Sequence, residues 1–143
     1  MSIIENIARS WAPRLLSVLR IVVGLLFLEH GTSKLLAFPP FPEMGTVAIF
    51  SLIGLSAILE FVGGLLLTVG LFTRITAFIL SGEMAVAYFM VHAPQGFFPL
   101  LNGGEPAILY SFLFLYLAAA GAGPWSLESR IWSARRYSLQ APS

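Results

Sequence analysis

The chain has 143 residues, of which 57% are hydrophobic and only 10% are charged, and its mean hydropathy is +0.86. This balance excludes an ordinary soluble domain, in which about a quarter of the residues are charged. A net charge of +1 gives no support for nucleic-acid binding, and the absence of cysteine excludes disulfides, thiolate metal ligands and thiol redox chemistry on this chain.

Four apolar stretches are long enough to cross a bilayer, whose core of about 30 Å takes about 20 helical residues. They lie at about 15–36, 46–71, 74–92 and 106–123. We therefore expect an all-α, integral membrane four-helix bundle in up-down-up-down order. The bundle would occupy 15–123, after a cytoplasmic segment at 1–14 and before a juxtamembrane helix and tail at 124–143. The first span is too long for a signal peptide and is expected to be retained.

The segments between the spans contain clear turn signals. Gly70 and Thr73 predict a helix C-cap followed at once by an N-cap, which makes the second and third spans antiparallel neighbours. Prolines interrupt the chain after the first span, and the run Asn102-Gly103-Gly104 precedes the fourth. Pro106 suits the first helical position of that span.

The basic residues predict the orientation in the membrane. Lys34 alone falls on one side of the predicted bundle, and the other seven fall on the opposite side: Arg9, Arg14, Arg20, Arg74, Arg130, Arg135 and Arg136. By the positive-inside rule, the arginine-rich side is cytoplasmic and holds both termini. Trp11, Trp125 and Trp132 lie there as interface anchors, and a helix around Ile131 is expected to lie along the membrane surface.

Ionisable residues inside the spans are the first candidates for a functional site. A charged side chain in mid-bilayer costs about 2.5–3.5 kcal/mol, so it usually faces the bundle interior and pairs there. On the first span, Arg20 and Lys34 share a face with Gly24, Phe27 and Gly31 at helical spacing. His30 flanks this face, whereas Glu29 points to roughly the opposite side.

Two carboxyls are expected at similar depth in the second and third spans. Glu60 shares a face with Ser56, Gly63 and Gly64, and Glu83 lies near the middle of the third span. The pair could share a proton or bridge to Arg20, which predicts Glu60 and Glu83 as proton-exchanging residues. The alternative is that a buried Arg-Glu pair only sets helix register.

The outer loops offer further candidates. Glu105 could contribute to a site or could cap the start of the fourth span. His30 and His92 could be paired as axial haem ligands, but their predicted depths differ by about 9 Å at 1.5 Å per residue, so we expect no haem. No metal site is expected either.

Several motifs together resemble the DoxX family over about residues 15–128. They are Arg20-x-x-x-Gly24-x-x-Phe27-x-x-His30-Gly31-x-x-Lys34, Leu59-Glu60-x-x-Gly63-Gly64, Gly70-Leu71-Phe72-Thr73-Arg74, Ala87, His92, Asn102-Gly103-Gly104-Glu105 and Gly121-x-Gly123-x-x-Ser126-Leu127. The chain departs from the pattern at Glu128, where family members usually have Asp.

The resemblance implies a small four-helix protein of the bacterial inner membrane. DoxX-like relatives include a subunit of a thiosulfate:quinone oxidoreductase and proteins linked to quinone or oxidative-stress handling. The implied ligand-binding positions are Arg20, His30, Lys34, His92, Asn102 and Glu105, and Glu60 also matches a family motif. Glu83 enters from the residue pattern alone.

The expected function is therefore that of a quinone-binding or redox-associated membrane subunit. A polar cavity is expected to open toward the outer face, beneath Phe38, Phe41, Phe97 and Phe98, and would suit a lipid-soluble ligand with a polar head. Because the chain has no haem, iron-sulfur or dinucleotide motif, a partner protein would carry the electron-transfer centre. A proton-coupled transporter and a non-catalytic scaffold remain alternatives, and the oligomeric state and enzymatic status are left open.

Overall fold

A computed structural model describes residues 2–40 and 47–140 of the chain, with side chains described up to residue 133. Every regular element in these ranges is helical. The helices are α1 (Ile3–Leu36), α2 (Leu52–Val69), α3 (Thr73–Ala87), the short α4 (Pro99–Asn102), α5 (Glu105–Ala120) and α6 (Leu127–Gln140). The prediction of an all-α chain is thus confirmed for the described residues.

The first helix is much longer than its predicted span. It begins with a capping box, in which the Ser2 hydroxyl accepts from the Glu5 amide at 3.2 Å and the Ser2 amide donates to the Glu5 carboxylate at 2.8 Å. It runs 34 residues without a break to Leu36, or about 51 Å at 1.5 Å per residue. Within the segment predicted at 1–14, the residues from Ile3 onward are therefore a helical extension of the first span.

The turn between α2 and α3 forms where Gly70 predicts it, but its caps differ from the prediction. Gly70 takes the left-handed conformation with φ of 71° and donates to Leu66 at 2.9 Å. Thr73 is the first residue of α3 and not its N-cap. Its amide donates instead to the carboxylate of Glu128 at 2.9 Å, so a residue 55 positions away caps this helix.

Three helical segments have the length and composition of membrane spans, and a fourth is shorter. They are Ile3–Leu36, Leu52–Val69 and Thr73–Gln95, the last of which extends α3 through a π-helical turn at Tyr88–His92 and a 3₁₀ turn at Ala93–Gln95. The apolar helix α5 has 16 residues, about 24 Å. The second predicted span began at residue 46, which lies outside the described residues, and α2 begins at Leu52.

The bundle is organised around two helix pairs, α1 with α2 and α3 with α5, and the turn at Gly70 connects α2 to α3. The core between them is apolar and includes Val23, Phe27, Leu67, Ala77, Leu80, Met84, Phe114 and Leu117. The Phe27 ring of α1 lies edge-on to Phe114 of α5 at 4.5 Å. Most other large apolar side chains point outward, as expected for a surface that faces lipid.

Hydrogen bonds and close backbone contact hold each pair together. Between α3 and α5, the Ser81 hydroxyl donates to the Ser111 carbonyl at 2.8 Å, and the Ser111 hydroxyl donates to the Ser81 carbonyl at 3.0 Å. Between α1 and α2, a Cβ added at Gly24 would lie 2.7 Å from the Thr68 amide. Glycine therefore allows these two backbones to pack closely, as in many membrane helix pairs.

Candidate functional site

A buried ion pair joins the outer half of α1 to the middle of α2. The Lys34 ammonium donates to Glu60 Oε1 at 2.7 Å, and the two side chains are only 15% and 5% exposed. Ser56, one turn before Glu60, accepts from Lys34 at 3.1 Å and donates to Glu60 Oε1 at 3.3 Å. Glu60 Oε1 thus accepts hydrogen bonds from both Lys34 and Ser56.

Glu83 of α3 lies beside this pair, near Ser56, Glu60 and Lys34. Both of its carboxyl oxygens are buried, and neither has a hydrogen-bond partner within bonding geometry among the described residues. The Ser56 hydroxyl lies 3.3 Å from Glu60 Oε1. Glu60 Oε2 is likewise buried and without a partner in that part of the chain. We call Lys34, Ser56, Glu60 and Glu83 the charged cluster.

The charged cluster contains two carboxyls and one ammonium group. With both carboxyls ionised it carries one uncompensated negative charge, and with one proton added it is neutral. A buried charge that lacks a partner is expensive, so a group that donates to the second carboxyl would stabilise the cluster. The unpaired oxygens of Glu60 and Glu83 are therefore positions where a proton or a donor group can bind.

Arg20 does not belong to this cluster, so the predicted bridge from Arg20 to Glu60 or Glu83 is wrong. Its guanidinium is fully buried at the opposite end of the bundle and donates only to backbone carbonyls. The Nε atom donates to Ala122 at 2.8 Å and Nη1 to Thr68 at 2.8 Å, and further bonds reach Leu67 and Trp125. Because five guanidinium protons can satisfy several carbonyls at once, Arg20 joins the C-terminal ends of α2 and α5 to α1.

The outer loop brings two predicted residues together. His92 Nδ1 lies 3.0 Å from the Asn102 carbonyl, and the Asn102 side chain donates to Gly96 at 2.7 Å and accepts from Gly104 at 2.8 Å. Asn102 is buried, and both polar groups of its side chain are occupied by the backbone. It therefore shapes the loop, and His92 stacks on Tyr88 at the π-helical turn.

The remaining predicted residues lie apart from the charged cluster. Glu105 is exposed in the first turn of α5, where the N-cap is Gly104 and no side chain caps the helix among the described residues. His30 is exposed, with its ring 6.1 Å from that of Phe27. Glu29 also lies on the outer surface of α1. Ligand binding by these residues stays a prediction.

Two surface cavities in the described part of the chain are well enough formed to describe, and neither of these is lined by the charged cluster. One, of about 480 Å³, lies between α1 and α5 along Leu15, Leu19, Val22 and Tyr116. The other, of about 350 Å³, lies near Arg74 and Glu128 at the start of α6. The polar cavity expected beneath the phenylalanines stays a prediction. Phe38, Phe97 and Phe98 are exposed, and Phe41 lies outside the described residues.

Sequence reasoning missed the contribution of Glu128. This residue is not in a span and differs from the family pattern, yet it caps α3 through its side chain and donates from its amide to the Gly70 carbonyl at 3.0 Å. Its acidic character was the only available signal, since an acid favours a helix N-terminus. The helix it caps is distant in sequence, so no local pattern could identify it.

The comparisons with known proteins match this architecture. The DoxX family profile covers residues 15–93, more than half of the chain. The chain belongs to the DoxX family. The matched range contains Lys34, Glu60 and Glu83, whereas Asn102 and Glu105 lie beyond it.

Three relatives align with this DoxX protein over most of their own length. A protein of Haemophilus influenzae, named only as uncharacterized, is 47% identical over 131 residues and covers 89% of this chain and 98% of its own. The uncharacterized membrane protein Rv3486 of Mycobacterium tuberculosis is 28% identical, with 92% and 94% covered. The "Putative oxidoreductase CatD" of Bacillus subtilis is 26% identical, with 83% and 88% covered. No solved structure matches the chain.

The predicted family and location are thereby confirmed. This DoxX protein is a membrane protein, and its bacterial relatives and apolar helices are those of an inner-membrane protein.

Proposed function

We propose that this DoxX protein binds the polar head of a quinone at the charged cluster and acts as the membrane subunit of an oxidoreductase. The observation that carries the proposal is the buried pair Lys34–Glu60 with three unpaired carboxyl oxygens beside it, on Glu60 and Glu83. Intramembrane ionisable groups of this kind usually mark a ligand or proton pathway. The name of the Bacillus relative, an oxidoreductase, agrees with this class of function.

The residues present suit such a ligand. A bound quinone would supply two-electron, two-proton chemistry. Lys34 has an ammonium group that can donate to a carbonyl oxygen, and Glu60 Oε2 and the Glu83 carboxyl can accept or return protons within the dry interior. Arg20 and Asn102 are left out of this role, because the backbone already occupies their polar groups.

The proposal also includes a partner and an orientation. The electrons must pass to a protein that carries a redox centre, because this chain has no cysteine and no dinucleotide motif. Arg20, Arg74 and the other basic residues lie at the α6 end, and by the positive-inside rule this supports a cytoplasmic position for that end and both termini, in an up-down-up-down order. A partner would then approach from the cytoplasmic or the outer side of an otherwise lipid-covered bundle.

The test uses purified protein in nanodiscs and a short-chain ubiquinone analogue. Lys34→Met should weaken binding of the analogue at least tenfold, since it removes the donor and leaves Glu60 without its cation. Glu60→Gln should retain the analogue but lower the quinone-dependent rate of the intact complex by about 10²–10⁴-fold, the usual contribution of a positioned acid or base. Glu5→Gln, at the exposed start of α1, is the matched control and should leave both unchanged, because glutamine can still complete the capping box with Ser2.

Other outcomes of these tests would favour the transporter or the scaffold. Binding of the analogue that survives Lys34→Met would remove the charged cluster as the quinone site. A proton-coupled carrier would move solute in liposomes with this protein alone and would lose that activity in Glu60→Gln. A scaffold would capture its partner equally well in all three variants.

A further inference from the structure

The face of α1 that points away from α2 carries a regular seam of side chains that stay exposed in the described part of the chain. Its residues recur at alternating steps of four and three, which is the heptad spacing of a coiled coil: Ile4, Ala8, Trp11, Leu15, Val18, Val22, Leu25 and Glu29. All eight are exposed. The inner face of α1, which packs on α2, has its own buried series beginning at Ser17. The outer seam begins 13 residues earlier and is a separate surface.

The first part of this seam cannot be explained by contact with lipid tails alone. Every residue from Ser2 to Leu15 is exposed, and the helix continues past Pro13 from this extension into the membrane span. The extension is apolar along the seam at Ile4 and Trp11 and polar on the opposite face at Asn6 and Ser10. Such a two-sided helix needs a cover for its apolar side.

We infer that this seam pairs with the same seam of a second copy of the chain, forming a parallel two-stranded coiled coil from the cytoplasmic extension into the membrane. All copies share one membrane orientation, so α1 can meet its equivalent only in parallel and in register, across a two-fold axis. The helix α1 has 34 residues, and the next longest described helix, α2, has 18. A second α1 is therefore the occupant that can follow the whole seam.

The size and shape of the surface fit this partner. The six large apolar side chains of the seam are between 41% and 78% exposed, so an interface that covers them buries apolar surface from the extension through most of the span. The cavity of about 480 Å³ between α1 and α5 borders the seam at Leu15, Val18 and Val22. It provides space for the side chains of a helix that packs beside α1.

Glu29 gives the pairing a defined register. It is the single charged residue of the seam and lies seven residues from the outer end of α1, on a face that would otherwise meet lipid. Two copies of Glu29 that face each other across the two-fold axis form one polar contact within an otherwise apolar seam. One polar residue at a core position of a coiled coil sets register and oligomeric state in this way.

Cysteine crosslinking in liposomes containing only the purified protein tests the inference, and the native chain contains no cysteine to interfere. Ala8→Cys and Leu15→Cys place thiols on the seam, whereas Asn6→Cys and Ser10→Cys place matched thiols on the opposite face. Mild oxidation should convert the two seam variants to disulfide-linked dimers several-fold more than the two controls. Equal crosslinking at all four positions would overturn the proposal. So would protection of Ala8→Cys from a water-soluble thiol reagent without crosslinking, since that pattern indicates a helix covered by the membrane surface.

A second measurement does not depend on crosslinking. Trp11→Glu introduces facing charges into the seam and lies in the extension, outside the packed bundle, so the variant should fold. Light scattering in detergent should show the mass of two chains for the native protein and for Asn6→Glu, and of one chain for Trp11→Glu. A Trp11→Glu protein with unchanged mass would overturn the inference, as would a monomeric native protein.

Discussion

At the scale of single residues, the two buried cations do different things. Arg20 satisfies four backbone carbonyls at the end of the bundle where α2 and α5 end. Lys34 neutralises one carboxylate at the opposite side, near Ser56 and Glu83. Both face the bundle interior, as intramembrane charges usually do, but only Lys34 leaves acceptor atoms unpaired beside it.

Arg20→Lys should be destabilising even though it keeps the positive charge. A lysine ammonium has three donors and no planar fork, so at least one of the four carbonyls loses its partner, and each buried unpaired group costs about 1–3 kcal/mol. Thermal unfolding in detergent should therefore show a clearly lower midpoint than for Arg9→Lys, a control in the exposed extension. Equal midpoints would mean that water replaces these bonds at little cost.

Lys34 and Glu60 should behave as one unit in a double-mutant cycle. Lys34→Leu or Glu60→Leu alone leaves a buried charge unpaired, and breaking a buried pair in this way costs about 3–5 kcal/mol. The double variant removes both charges, so its unfolding midpoint should lie above that of either single variant. Additive losses would instead show that the two side chains do not interact in the folded protein.

At the scale of helices, the close contact of α1 with α2 depends on glycine on both sides. A Cβ added at Gly64 would lie 2.8 Å from the Gly24 carbonyl oxygen, and one added at Gly31 would lie 2.5 Å from Phe61 Cα. These atoms belong to backbone and cannot move aside. The close packing of α1 on α2, which brings Lys34 to Glu60, therefore depends on glycines one or two turns away, where a side chain would clash.

Gly64→Ala should accordingly lower stability by about 1–3 kcal/mol, the usual cost of overpacking. Gly82→Ala is the matched control, because a Cβ there meets no atom within 4 Å and alanine is the better helix former. The unfolding midpoints of the two variants, measured in the same detergent, test this difference in stability. A stable Gly64→Ala protein would show that α1 and α2 can separate without loss.

At the scale of the whole molecule, the orientation in the membrane is the property most open to direct measurement. Cysteine at Ser2 should resist an impermeant thiol reagent in intact cells, because the distribution of basic residues predicts that the N-terminal end lies inside. Cysteine at Gln95, in the 3₁₀ turn that ends the third span, should react. The native chain offers no background thiol. Labelling of Ser2→Cys from outside would reverse the proposed orientation.

The sequence by itself was enough to establish the membrane class, the helical spans and the turn at Gly70. Hydropathy and the conformational preference of glycine are local properties, so they do not depend on which helices pack together. The sequence predicted the ends of the spans less well. The helix α1 continues far beyond its apolar stretch, because it ends only where Ser2 and Glu5 cap it. Backbone hydrogen bonding does not change at the point where a helix leaves the bilayer.

The composition of the charged cluster was decided only by the tertiary structure. Arg20 and Lys34 share one face of α1 and looked equivalent, yet they lie 14 residues, or about 21 Å, apart along the helix. The packing of α2 against α1 places Glu60 beside Lys34 and places the carbonyl end of α2 beside Arg20. Helical periodicity determines which residues share a face, but the antiparallel alignment of the neighbouring helix determines which of them meet an acid and which meet a helix end.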